Sequence, residues 1–523
     1  MDIHSRCKFP KLMIPKTLFI LFASTVTIYS QSRVDSYLHP KIFQTYLQTP
    51  VLLPASSLEN FTNSGLSFQT EKGDLHLGQQ PSAITTISLN TNGYYKAKKT
   101  AFFGDVTIKR EYQTDKKWNL SYVEVAPDGL MPDPHYYAVS KASNWNAQQY
   151  QVFGGLITPL ITSHLNGMIA ARYHLGEKYR TSFDPRPKII TNELAFTAQL
   201  ALNLTSQQQI AIGTTYGFAQ VDNSISFSDS DSHIPMNYPK YLRWQLGYGT
   251  FELPTDVSTK RERPFNELTL HYHYTTPTVQ WITGAHYQWQ KANTYQSNTE
   301  YEADERLMAT LNTTNYKVYI QRLKKLSEAQ LRYYAQYTET SRKNFLNLQQ
   351  GKNYEAQLRD VQFSVHYYSE KYTQLCETAV MLGYHQAYQT DVLAQTLTDR
   401  HFLTAQALHS RSYQLSGVEI APFVAFQCQL PTYSKLENQN IEYYKTLTNN
   451  DYAAKTIRLF YDEVVYPDNT LLCKTQYHFS FGTDFKQQLR NHLFAVLGVK
   501  TTYSTTFKSD DRYHLSLHLQ LNY

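Results

Sequence analysis

Beyond its first thirty residues the chain holds no apolar run long enough for a membrane helix of about 20 residues, yet apolar and polar side chains alternate along it again and again. Leu194, Phe196, Ala198, Leu200, Leu202 and Leu204 fall on one face, and Ala195, Thr197, Gln199, Ala201 and Asn203 on the other. Successive side chains of a strand point to opposite sides, so a period of two with one greasy face predicts a sheet whose faces meet different media. The pattern returns at Phe102–Ile108, Ile169–Leu175, Leu242–Tyr248, Leu268–Tyr274, Val279–Trp289, Leu331–Tyr337, Val361–Tyr367 and Tyr477–Phe481. Helical periodicity is scarce.

In hydrocarbon every backbone N–H and C=O must find a partner within the protein, which strands achieve only by closing into a ring. The expected fold is therefore an all-β transmembrane antiparallel up-and-down β-barrel. Composition supports it: 43 Tyr and 26 Phe in 523 residues suit the rims where hydrocarbon meets water. Strands of 9 to 11 residues, joined alternately by short turns and long external loops, predict about 16 strands in a range of 14 to 18. Short turns are expected at Thr205–Gln208, Thr275–Thr278, Lys325–Glu328 and Gln487–Asn491. The polar stretches 113–148, 219–240, 290–306, 339–358 and 431–455 read as the external loops.

Arg6, Lys8, Lys11 and Lys16 precede the apolar stretch Leu18–Ala23, the pattern of a cleaved secretory signal over residues 1–30. Residues 31–63, with Pro40, Pro50 and Pro54 and no alternation, read as a non-barrel segment lying in the periplasm or entering the lumen, and 64–523 as the barrel. The last strand alternates Tyr513, Leu515, Leu517, Leu519, Leu521 and Tyr523 with His514, Ser516, His518, Gln520 and Asn522. A closing strand with an aromatic in last place resembles the insertion signal read by the outer-membrane barrel assembly machinery. The expected location is the cell outer membrane, among its lipids.

Loss of residues 1–30 removes four basic residues and one acid, so the formal charge falls from +6 to +3, leaving no concentrated basic face and no case for nucleic acid. Cys376, Cys428 and Cys473 form neither a disulfide framework nor a zinc pattern. The polar faces supply lumen-lining candidates: Lys109, Arg172, His174, Gln199, Arg243, His271, His273, Arg332, Gln336, His366 and His478. His271 and His273 share a face at a spacing that can chelate, but no third ligand follows from spacing, so no metal and no cofactor is expected.

Phe102-Phe103-Gly104, Lys117-Trp118, Pro132-Asp133-Pro134-His135-Tyr136-Tyr137, Tyr150, Gly154-Gly155, Ala171-Arg172-Tyr173 and Asp184-Pro185-Arg186-Pro187 together resemble an uncharacterised outer-membrane β-barrel family of Bacteroidota. The resemblance covers most of the chain after residue 30. It implies an accessory barrel that works beside a TonB-dependent receptor and a surface lipoprotein, and it brings no activity. In the last motif, prolines fix the backbone around Asp184 and Arg186, a pair that ties a loop down or holds an anion.

The expected function is a pore or an accessory component of nutrient uptake whose external loops bind a ligand or partner. The alternative is a barrel-type enzyme such as a lipid hydrolase, which needs a nucleophile, a base and an orienting group; no Gly-x-Ser-x-Gly elbow or zinc-helix motif appears, and no catalytic residue is assigned. A TonB-dependent transporter itself, with its 22 strands and plug, needs a longer chain.

Overall fold

The computed structural model describes residues 43, 46–56, 58 and 60–522, apart from 161–163, 183, 228–241, 253–257, 297–304, 348, 372–373, 441–451, 491–492 and 508–509. The predicted signal and Tyr523 lie outside the described residues. Eighteen antiparallel strands close into one barrel, from Phe61–Gly73 to Asp511–Asn522, and one short further strand, Tyr413–Leu415, extends a hairpin edge. At the seam, Leu66 faces Leu519 on one side and Leu89 on the other, so the first strand has no free edge. Among the described residues no helix is long and apolar enough to cross a membrane.

The alternation sorts the two faces as the sequence demands. Leu194, Phe196, Leu200 and Leu202 stand exposed on the outside, while Ala195, Gln199 and Ala201 are buried within. Leu515, Leu517, Leu519 and Leu521 continue the outer band across the seam. A continuous apolar exterior is stable against hydrocarbon and not against water. Inside, neighbouring strands are tied by hydroxyl and amide pairs such as Ser67–Ser88 at 2.7 Å, Thr197–Thr215 at 2.9 Å and Ser480–Thr502 at 2.8 Å. Paired polar groups can be buried without the cost of leaving a donor or acceptor unmet.

Eighteen strands replace the central expectation of sixteen, because residues assigned to loops are strand. The stretch 339–358 is a tight hairpin between Ala329–Leu346 and Gly351–Lys371, and Ser143–Pro159 and Val418–Asn438 begin or end inside other predicted loops. Above the membrane both faces of a strand are wet, so polar composition there no longer separates strand from loop.

Two further departures shape the interior. The alternating segment around Trp244 is not barrel wall: Arg243–Leu246 pairs with Phe251–Glu252 and His135–Ala138 in a separate three-stranded sheet inside the long-loop end. Period two identifies a strand without saying which sheet receives it, and here all four residues are buried. Within the predicted loop 431–455 and beyond it, Tyr452–Leu472 is a continuous helical stretch whose middle, Tyr461–Val465, is a π-helix.

Both ends of the barrel carry internal material. At the short-turn end, where turns such as 276–278 and 326–328 lie, Phe43, Tyr46 and the 3-10 helix Pro50–Ala55 bury themselves against Tyr94, Phe103, Met168, Ala211, Ile282 and Tyr319. Val51 donates its N–H to Gln199 at 3.3 Å, and Tyr46 meets Gln280 at 2.6 Å. At the long-loop end a cap fills the mouth. One of its clusters joins Trp118, Tyr136, Tyr248, Phe460, Tyr461 and Val465 to the wall residues Tyr354 and Phe402. A second joins Leu120, Tyr137 and Trp244 to Trp145, Ile189, Ile225, Met308 and Leu346.

Candidate functional site

The cap is anchored to the wall by buried polar groups, which fixes the ceiling of the space beneath it. Glu124 of the cap reaches Lys116 at 2.8 Å and also contacts Lys178, two lysines buried at strand ends, and both ammonium groups lie 5.4 Å from the Trp145 ring. Burial alone would raise the Glu124 pKa, but the two ammonium charges outweigh it and hold the carboxyl well below the usual range. Asp391 ends a wall strand and accepts the N–H of Tyr248 at 2.7 Å, the N–H of Thr250 at 3.2 Å and the Thr250 hydroxyl at 2.7 Å. His135 sits between Thr294 and Asn344, each at 2.8 Å, and burial pushes its pKa down to about 4, so it is neutral.

Beneath the cap, against the wall strands between Ala329 and Asn438, lies a cavity of about 570 Å³. Pro127 and Asp128 hang into it from the cap. Asp128 accepts from or pairs with His385 Nε2 at 2.8 Å, and His385 Nδ1 lies 3.6 Å from Asp360, so one imidazole bridges cap and wall. Gly129 has φ +83°, and a Cβ there would approach Arg400 Nη1 to 2.8 Å; glycine lets the Asp128 turn lie down on that guanidinium, which donates to the Asp128 carbonyl at 3.2 Å. Arg332 gives two N–H groups to Gln321 at 3.1 and 2.9 Å and lies beside the Tyr334 ring. Tyr334 also packs against the hydrophobic cluster of the short-turn end, stacking on Tyr319 of that cluster. Gln362, Gln406, Gln427 and Gln429 complete the polar wall.

The lumen residues expected from sequence fall into several places. Arg332 and His366 line this cavity. Arg172 and Arg263 share Glu193 at 3.2 and 2.8 Å, with His174 next to Tyr122 of the cap, and Lys109 pairs with Glu111 at 2.5 Å. His271 bonds Tyr319 at 3.1 Å and His273 lies 3.3 Å from Tyr46, so both are buried against or near the N-terminal segment. Gln336 accepts the Tyr334 hydroxyl at 2.6 Å, and His478 meets Ser504 at 2.7 Å. Arg243 is corrected: it belongs to the cap sheet, not to the lumen wall. Asp184, in a connection at the long-loop end, pairs at 3.1 Å with Arg186 at the start of the strand that follows, away from the cavity. Tyr513, Leu515, Leu517, Leu519 and Leu521 lie outward on the seam strand. Among the described residues no three His, Cys, Asp or Glu side chains are grouped to hold a metal ion.

Sequence reading missed Asp128, Asp360 and His385. The last two stand at inward positions of alternating strands and carried a legible signal; Asp128 comes from a loop, and nothing local places it over the lumen.

An even-numbered closed ring with an apolar exterior, a polar interior and a capped mouth defines a transmembrane β-barrel with internal plugs. The chain belongs to DUF6850, a family of unknown function whose model matches residues 50–523. No curated protein sequence matches it. Among solved structures it is similar to the copper transporter OprC, with 9% identity and a TM-score of 0.44 over 86% of this chain, and it spans 62% of that transporter's length. It is similar also to BauA, the ferric preacinetobactin receptor of Acinetobacter baumannii, with 9% identity, 89% of this chain and 80% of that one covered, and a TM-score of 0.38. The outer membrane transporter YddB of Escherichia coli gives 7% identity, 90% and 81% coverage, and a TM-score of 0.38.

Proposed function

We propose that this protein is an outer-membrane accessory barrel of nutrient uptake, which holds a ligand in the chamber beneath its cap and works beside a receptor and a surface lipoprotein. The observation that supports it is the chamber itself: a polar cavity of about 570 Å³ under a cap fixed to the wall by Asp391 and by the Lys116–Glu124–Lys178 cluster. Two hydrophobic clusters fill the mouth above it, which suits a protein that sequesters a solute and argues against a standing pore. Large interior side chains joined to a ring of wall strands do not part without losing their burial, so flow of solute through the barrel requires a second event, such as contact with a partner at the capped end. Affinity capture of the tagged full-length protein from outer membranes of its own host tests this reading. Reproducible recovery of a TonB-dependent receptor together with a lipoprotein is the expected result; repeated recovery of the barrel alone overturns the accessory role.

A further inference from the structure

The chamber's side chains also restrict what it takes. Gln362, Gln406, Gln427 and Gln429 come from three strands of one stretch of wall, the last two of them adjacent, and face the lumen, and their side chains make no hydrogen bond to the protein among the described residues. Each amide offers a carbonyl acceptor and two N–H donors at once, which matches a group that both donates and accepts. The charged side chains are already engaged. Asp128 and Asp360 share His385, and Arg332 is turned onto Gln321 and Tyr334. An anion entering here meets two carboxylates, and a cation meets a guanidinium. A ligand of either sign gives up hydration and meets its own sign of charge beside the opposite one, whereas a neutral molecule bearing several hydroxyls pairs with the amides and leaves the existing contacts intact. Tyr334 supplies ring surface for the C–H face of such a molecule.

We infer that the chamber binds a small neutral polyhydroxylated molecule, of about mono- to disaccharide size, with Gln406 and Gln427 as its principal hydrogen-bonding partners. This rests on the proposal that the chamber is a ligand site. Direct strand pairing makes these two residues neighbours, since Gln406 lies opposite Gln427 in the register. Two adjacent amides can therefore bracket a vicinal diol, each taking one hydroxyl.

The test is isothermal titration of the full-length protein, refolded in a detergent without sugar headgroups, against sorbitol, glucose and maltose, with galacturonate and glucosamine as charged counterparts. At least one neutral probe is expected to bind, at least tenfold more tightly than either charged one. Gln406→Leu and Gln427→Leu keep the side-chain volume and remove the amide; each is expected to weaken that binding at least tenfold. An unchanged thermal midpoint and unchanged heat-modifiable migration show that each variant is folded, and Gln406→Glu serves as a second, soluble-sided variant if a leucine form fails. Tighter binding of a charged probe, or full affinity in both leucine variants, overturns the assignment while leaving the chamber a ligand site. No heat from any of the five probes overturns the assignment too, and capture of receptor and lipoprotein then decides the uptake reading separately.

Discussion

Asp468 illustrates how single groups set the strength of the cap. It lies buried in the helix Tyr466–Leu472 and accepts the Gly78 N–H at 2.7 Å, joining the cap to the connection between the first two barrel strands. Burial pushes its pKa up to about 7, with the Gly78 N–H, Arg400 and Lys117 only partly offsetting that rise. A carboxyl whose folded pKa is raised contributes stability that is complete below its unfolded value and lost as pH rises through the folded one. The cap should therefore tighten on going from pH 8 to pH 6.5, by roughly 1 kcal/mol, or about fourfold in amide exchange of Tyr452–Leu472 after correction for intrinsic rates. Asp468→Asn keeps the acceptor and should make exchange flat across that window; a wild-type helix that exchanges faster at pH 6.5 contradicts the assignment. Below pH 6.5 His135 acts in the opposite sense, because its lowered pKa means that protonation favours the unfolded cap.

At the scale of elements, each wall strand is amphipathic across its own axis, and this makes substitution costs depend on depth. Phe196 stands exposed in the middle of Arg186–Asn203, while Leu204 stands exposed at the short turn that follows. Phe196→Lys should cost about 2–4 kcal/mol in urea unfolding from liposomes, and Leu204→Lys about 0–1 kcal/mol. Equal costs at the two sites would mean that the apolar band does not lie in hydrocarbon as described. The same amphipathicity explains what was legible in the sequence. Strands such as this one declare both faces, and the inward histidines and arginines were readable from their offset. Arg243–Leu246 obeyed the same rule while belonging to the cap, and the helix Tyr452–Leu472 escaped because its apolar stripe is interrupted by a π-helical turn that shifts the spacing. The chamber's wall was half legible, through Arg332 and His366; its ceiling was not, since Asp128 reaches it only through the folding of a loop around distant partners such as Arg400 and His385.

For the molecule as a whole, the clusters in the mouth and at the short-turn end decide whether solutes cross unaided. In planar bilayers the intact protein should show no sustained conductance, and a form with residues 452–472 replaced by a short Gly-Ser linker, which removes Phe460, Tyr461 and Val465 from the cap, should conduct only when the segment 43–55 inside the short-turn end is removed as well. Steady conductance of the intact protein would mean that the mouth is open in the membrane. The seam carries a different consequence. Asn63 lies opposite Asn522, so the two ends of the wall meet at one rim, and the hydrogen-bonded ring itself has no first strand. Any short turn at that rim is topologically equivalent to the gap between them, and the ring would be the same closed curve if the chain were opened at 276–278 and joined across the seam. Such a permuted chain would change the order of synthesis and take the Tyr513–Leu521 strand out of last place: that strand would emerge in the middle of translation, and the pairing that now waits for some 440 intervening residues would form between near neighbours.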